Sequence, residues 1–207
     1  MSFYNKNAIK NVLVTGGAGF IGGSLIRKLL RTTNVNIFNL DKLGYASDLT
    51  GINMLLREYD INNDRYKFIQ VDLSNYIETK KAVLESDPDL VFHLAAESHV
   101  DRSINGPRVF LESNVIGTFN LLDSLKAHWE SLSMERTNIF KFIHISTDEV
   151  FGSLGEQGFF TEVSPYDPRS PYSASKAASD HLVNSFHHTF GFPSLITNCS
   201  NNYGPWQ

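Results

Sequence analysis

Residues 15–22 read Thr-Gly-Gly-Ala-Gly-Phe-Ile-Gly, placed between a short β-branched run at 11–15 and a segment whose apolar positions recur with helical spacing. Gly17, Gly19 and Gly22 satisfy G-x-G-x-x-G, and Gly16, Gly19 and Gly22 satisfy G-x-x-G-x-x-G. Glycines allow a tight strand-to-helix turn, close approach of the backbone to a ligand and close packing of the helix on the sheet. The start of that helix presents unpaired N–H groups, which suit a pyrophosphate. Asp41 closes the next apolar run 19 residues after Gly22, where a carboxylate can meet a ribose diol. A glycine turn without a ligand is the plainer reading. The preceding strand, the following helix and Asp41 together favour a dinucleotide.

Five further apolar runs follow the same grammar, so strands are expected at 11–15, 35–40, 66–71, 90–94, 140–146 and 194–197. Helix-spaced segments separate them at 20–31, 49–59, 76–85, 110–129 and 172–190. Such alternation predicts an α/β fold, a doubly wound parallel sheet of Rossmann type with helices on both faces. With 207 residues and no linker or repeat, residues 1–207 are expected to form one dinucleotide-binding domain. The long irregular stretch 151–170, with Pro165 and Pro168, reads as a functional loop.

Composition narrows the partners. A net charge of −4 gives no general attraction to nucleic acid or anionic membrane. No apolar run approaches the ~20 residues of a membrane span, and the start lacks the pattern of an export signal. Cys199 is the single cysteine, which excludes an internal disulfide and a cysteine-based zinc site and favours a reducing cytosol. The seven histidines make no ligand spacing with the acids, so no metal is expected. His93 and His144, inside strands, are expected to be satisfied core residues.

Two constellations carry chemistry. Ser170 and Pro171 suit the cap and first turn of a helix that sets Tyr172 and Lys176 four apart on one face. An ammonium and a cationic nicotinamide beside a tyrosine both favour its phenolate, a base for a hydroxyl proton. Y-x-x-x-K alone arises by chance in many helices. Thr147-Asp148-Glu149 close the fifth strand, where open parallel sheets carry ligand chemistry. One acid can protonate a leaving oxygen while the other takes a proton from carbon, provided their protonation states differ. A pair of solvated loop acids is the bland alternative. Ala95 and Ala96 leave room for a flat cofactor at the end of the fourth strand, and Ser98 offers a hydroxyl to the same crevice. Asp41 would repel the extra phosphate of NADP, which favours NAD; Lys42 beside it partly offsets that preference.

Taken together, residues 15–22, 41–46, 93–103, 146–152, 172–176 and 198–205 resemble the nucleotide-sugar 4,6-dehydratases of the extended short-chain dehydrogenase/reductase superfamily, those acting on dTDP-glucose above all. The resemblance spans nearly the whole chain, and the Thr-Asp-Glu triplet discriminates it from related 4-epimerases and decarboxylases. It implies an NAD-dependent cycle giving a 4-keto-6-deoxy sugar nucleotide, of the kind that leads to rhamnose or amino sugars for polysaccharide. Tyr172 would take the C4 hydroxyl proton, with Lys176 and Thr147 orienting it, Glu149 would remove the C5 proton and Asp148 would protonate the departing C6 hydroxyl. The resemblance places cofactor contacts at Phe20, Ile21, Asp41, Lys42, Leu43, Gly44, Asp72, Leu73, Ala95, Ala96, Ser113 and Lys176, besides Gly16, Gly19, Gly22 and Tyr172. It places Ser98, Thr147 and Asn201 near substrate, and implies a homodimer through the helices at 110–129 and 172–190. Family members continue beyond the position of Gln207 into a substrate-binding region, so a chain truncated relative to the family, binding NAD but weakly active, is expected. A UDP-sugar 4-epimerase and a non-catalytic NAD-binding module stay open as alternatives. Asp148 and Glu149 argue against the epimerase.

Overall fold

The computed structural model describes residues 9–61, 64–155 and 157–207. Six parallel strands form one sheet in the order β3-β2-β1-β4-β5-β6. They are β1 (Asn11–Thr15), β2 (Asn36–Asp41), β3 (Tyr66–Gln70), β4 (Leu90–His93), β5 (Lys141–Thr147) and β6 (Ser194–Cys199). Each lies where a strand is expected: β1 matches at both ends, and the others differ by at most two residues at an end. The direction of winding reverses between β1 and β4, and in such sheets the crevice beyond the strand ends at that switch is where ligands bind.

The helices are α1 (Phe20–Thr32), α2 (Thr50–Glu58), α3 (Tyr76–Ser86), α4 (Val100–Asn105), α5 (Pro107–Phe110), α6 (Gly117–Ser131), α7 (Met134–Ile139) and α8 (Pro171–Phe190). Side chains alternate across the strands, so β1 sends Val12 and Val14 to one face and Leu13 to the other. Val12, Val14, Ile37, Ile26, Leu30, Ile52 and Leu55 make one core under α1 and α2. Leu13, Leu40, Val91 and Phe142 join Leu121, Leu122, Leu125, Val183 and Phe186 in a second core under α6 and α8. Both faces of the sheet are thereby covered, as parallel sheets require.

The continuous helix expected at 110–129 is corrected. α5 gives way to a π-helical segment at Leu111–Ile116 before α6 begins. Apolar spacing barely distinguishes a π turn from an α turn, yet the wider turn re-aims the side chains it carries. Asn114 lies on it and is buried. The short helices α4, α5 and α7 were also not foreseen; with four to six residues each they have no period to read. Among the described residues of 152–170 there is no long regular element, as the prolines imply.

Candidate active site

At the exit of β1 the chain turns with Gly16 at φ 70°, a left-handed conformation that glycine adopts freely. A side chain there would place its Cβ 2.6 Å from the Ala95 nitrogen, so the turn sits directly against the exit of β4. A Cβ on Gly22 would collide with the Gly16 carbonyl, which explains the third glycine. α1 starts at Gly19 with no side-chain cap and no acid in its first turn. Its leading N–H groups and the positive end of its dipole therefore remain available to an anion.

These elements open into a crevice of about 720 Å³, within the roughly 300–1,000 Å³ typical of ligand sites. Gly16, Gly19, Phe20, Ile21 and Gly22 line one wall, and Asp41, Lys42, Gly44, Asp72 and Leu73 the end nearest β2. Ala95, Ala96, Ser98, Ser113, Tyr172 and Lys176 line the remainder. Of the positions expected to touch cofactor, Leu43 alone falls outside this lining. It is more than a third exposed and adopts φ 58°, unusual for a leucine, with its N–H held by Asp41 Oδ1 at 2.8 Å. Asn201, expected near substrate, is exposed and does not line the crevice.

Asp41 is 8% exposed. Its Oδ2 accepts from the Ala18 N–H at 3.0 Å, and its Oδ1 accepts from Leu43 and from Ser47 Oγ at 2.9 Å. An ionised carboxylate has about four acceptor sites, which leaves capacity on Oδ2 for a diol. Lys42 donates to Glu97 Oε1 at 2.7 Å. Its charge is thus already matched, and the offset to Asp41 expected from Lys42 is small.

Thr15 and His93 fix the floor. The Ala95 N–H donates to Thr15 Oγ1 at 3.3 Å, Thr15 Oγ1 lies 2.6 Å from His93 Nδ1, and His93 Nε2 lies 2.9 Å from Thr118 Oγ1. Thr118 Oγ1 donates to the Asn114 carbonyl, so it accepts from Nε2–H and His93 takes that tautomer. Burial, followed by His144 and Lys176, holds the His93 pKa well below its ordinary value, which keeps the ring neutral. His93 is the satisfied core residue expected. His144 is not: among the described residues neither of its ring nitrogens has a hydrogen-bond partner.

Asn114 was missed by sequence reasoning. Its Oδ1 accepts from the Glu97 N–H at 2.8 Å, while its Nδ2 donates to the Glu97 carbonyl at 3.0 Å and to Ser175 Oγ at 2.9 Å. One amide thereby ties the β4 exit loop to α8. The only sequence signal for it was a polar residue at a buried helical position.

The start of α8 is built as predicted. Ser170 caps the helix in a reciprocal capping box with Ser173, and Pro171 occupies the first turn. Tyr172 and Lys176 are both buried and both reach the crevice. Thr147, Asp148 and Glu149 stand beside Tyr172 at the crevice end rather than within its lining. The Thr147 Oγ1 accepts from the Glu149 N–H at 3.2 Å and caps the 3₁₀ turn that carries the acids.

Burial, and then the Glu149 charge, push Tyr172 up to about 12, opposed by a hydrogen bond with Thr147. Burial brings Lys176 down to about 8, opposed by Asp180. In the chain by itself burial and the nearby carboxylates therefore raise Tyr172; the expected phenolate depends on a cationic nicotinamide as well as on the ammonium. Burial, then Asp148, raise Glu149. A phenol, an ammonium and an acid pair of unequal surroundings thus meet at one end of a long crevice, next to a helix N-terminus open to an anion.

The family profile described as GDP-mannose 4,6 dehydratase matches residues 13–207. The chain belongs to that family. Among its relatives, a dTDP-glucose 4,6-dehydratase of Neisseria meningitidis is 49% identical over 96% of this chain and 55% of its own length. One from Escherichia coli is 47% identical over 95% and 55%. The crystal structure of a dTDP-glucose 4,6-dehydratase from Streptomyces venezuelae with NAD bound superposes with a TM-score of 0.81, at 39% identity, over 95% of this chain and 57% of that one. A UDP-glucose 4-epimerase of Thermotoga maritima, at 26% identity over 95% of this chain and 57% of its own, gives a TM-score of 0.79. The fold is thus common to dehydratases and epimerases, and the higher identities lie with the dehydratases. The chain spans about half the length of the curated relatives it matches. Among the described residues no helix is long and apolar enough to cross a membrane.

Proposed function

We propose that residues 1–207 are the NAD-binding and catalytic portion of a nucleotide-sugar 4,6-dehydratase that converts dTDP-glucose to dTDP-4-keto-6-deoxyglucose. The observation that carries this reading is the meeting of Asp148 and Glu149 with Tyr172 and Lys176 at one end of the crevice. Oxidation and reduction at C4 alone would need the tyrosine and lysine; loss of water also needs an acid and a base.

The free N–H groups of α1 suit a pyrophosphate, the remaining Asp41 acceptor suits a ribose diol, and Ala95 and Ala96 leave the β4 exit flat. When bound, NAD⁺ would supply the hydride acceptor for C4 of the sugar and the hydride that C6 later receives. The chain's own groups move the protons. Tyr172 takes the C4 hydroxyl proton as its phenolate: burial and Glu149 hold the phenol up to about 12 in the chain alone, and the positive charges of Lys176 and of a bound nicotinamide would favour the ionised form. The C4 ketone so formed acidifies C5–H. Glu149 takes that proton, the role the family resemblance gives it; burial and then Asp148 raise its carboxyl, which favours its protonated form at rest and strengthens it as a base once ionised. Asp148 protonates the C6 hydroxyl as it leaves.

The cofactor should be NAD rather than NADP. With Lys42 paired to Glu97, the Asp41 carboxylate opposes a 2′-phosphate nearly unrelieved. Calorimetric titration is expected to give tighter binding of NAD⁺, and Asp41→Ala to narrow the ratio about tenfold or more, one lost charge-assisted contact. Tighter NADP⁺ binding by the unaltered chain would contradict the assignment of Asp41.

A homodimer is part of this reading. Val109, Leu111, Ile116 and Phe119 on the run from α5 to α6, and Phe190 at the end of α8, expose apolar surface that a second copy would cover. A cytoplasmic setting fits the single free Cys199. The reading is tested by incubating the chain, extended by a relative's C-terminal segment, with dTDP-glucose. A 4-keto product supports it; a 4-epimer as the sole product would favour the epimerase.

A further inference from the structure

Asp180 lies one helical turn beyond Lys176 on α8 and has no exposed surface. Its Oδ2 accepts from Ser146 Oγ at 2.8 Å, from the Tyr166 hydroxyl at 3.1 Å and from Asn198 Nδ2 at 3.5 Å. One oxygen therefore gathers donors from β5, from the 151–170 stretch and from β6. Among the described residues its Oδ1 has no hydrogen-bond partner, although His144 Nε2 stands 3.1 Å away: the two atoms are close but misaligned. A packing tie among these elements needs only a neutral amide. A carboxylate with an unsatisfied oxygen is costly in a dry interior unless a positive charge lies near. Lys176 is that charge: its Nζ donates to the Ile145 carbonyl at 2.8 Å, one residue along β5 from the Ser146 that donates to Asp180, so the two charged groups are neighbours without forming a direct ion pair.

We propose that Asp180 is a positioning residue for the catalytic site: its buried carboxylate holds Lys176 in the charged, crevice-facing state on which the Tyr172–Lys176 pair depends. The inference rests on the role given to Lys176 above and extends it one shell inward. Asp180 raises Lys176 against the effect of burial. Burial raises Asp180 itself, opposed first by Lys176 and then by the hydrogen bonds from Ser146, Tyr166 and Asn198, which favour the ionised carboxylate. The other groups facing Lys176 are His93 on β4, His144 on β5, Cys199 on β6 and Tyr172 on its own helix. Burial keeps both histidines neutral. Neither can take over the work of the Asp180 charge.

The test is a lysine titration by NMR on the 207-residue chain, with side-chain isotope labels and the Lys176 signal assigned by its loss in Lys176→Met. Lys176 should titrate near 8 in the unaltered chain. In Asp180→Asn it should titrate lower by about one unit or more, the effect of removing one close opposite charge. A folded Asp180→Asn chain with an unshifted Lys176 would overturn the proposal. Should that variant fail to fold, the reciprocal coupling decides: in Lys176→Met the Asp180 carboxyl should titrate higher than in the unaltered chain, and no change there would equally overturn it. A purely structural role for Asp180 would lower stability without moving either titration. Both are read without cofactor or substrate, so failure of the dehydratase reading would leave their outcome intact and separately visible.

Discussion

Tyr172→Phe, in a chain completed with a relative's C-terminal segment, should lose C4 oxidation by about 10²–10⁴-fold, the usual contribution of a positioned general base. The ring stays: it is buried edge-on to Phe110 at 6.3 Å between centroids, and phenylalanine keeps that packing. What disappears is the phenol oxygen that shares a hydrogen bond with Thr147 and stands near Glu149 and Asp148. NAD⁺ affinity and the unfolding midpoint should change little, which separates a chemical loss from a structural one. Near-normal oxidation by a folded Tyr172→Phe protein would remove the tyrosine from the reaction.

Glu149→Gln should produce a different defect. Oxidation at C4 should persist, because Tyr172 and Lys176 are untouched and loss of the Glu149 charge even relieves one of the influences that raise Tyr172. Exchange of the C5 proton with solvent should fall by about 10²-fold or more, since glutamine cannot accept it. In deuterated water this appears as unlabelled C5 in substrate recovered during turnover. Normal exchange in that variant would mean that some other group takes the C5 proton, and the division of labour between Glu149 and Asp148 would have to be redrawn.

The parts of this site that could be read before the fold was known are those written in consecutive residues. The glycine turn, Asp41 at the end of β2, and the Ser170-Pro171 start of α8 each depend on local backbone geometry, and each stands where expected. The strand pattern was equally readable, because buried parallel strands are short continuous apolar runs. What escaped depends on contacts distant in sequence. Asn114 acts through a π turn and reaches Glu97 and Ser175 across two other elements. Asp180 sits in a helix pattern like any polar residue, and only the fold brings Ser146, Tyr166 and Asn198 onto it. The rise of Tyr172 in the chain by itself was hidden for the same reason: spacing reveals the ammonium four residues on, but not the burial and the carboxylates around the phenol. Asn201 and Leu43 were carried over by resemblance of motif, and in this chain neither lines the crevice.

The central claim is that one sugar is oxidised at C4, dehydrated across C5 and C6, and reduced at C6 within a single site. It is tested most directly with dTDP-glucose carrying deuterium at C4, turned over by the completed chain with catalytic NAD⁺, and with the product analysed by NMR. Deuterium should appear in the C6 methyl group of a 4-keto product, with solvent hydrogen at C5. Deuterium still at C4 of a 4-epimer, or label lost to solvent with no dehydrated product, would contradict it.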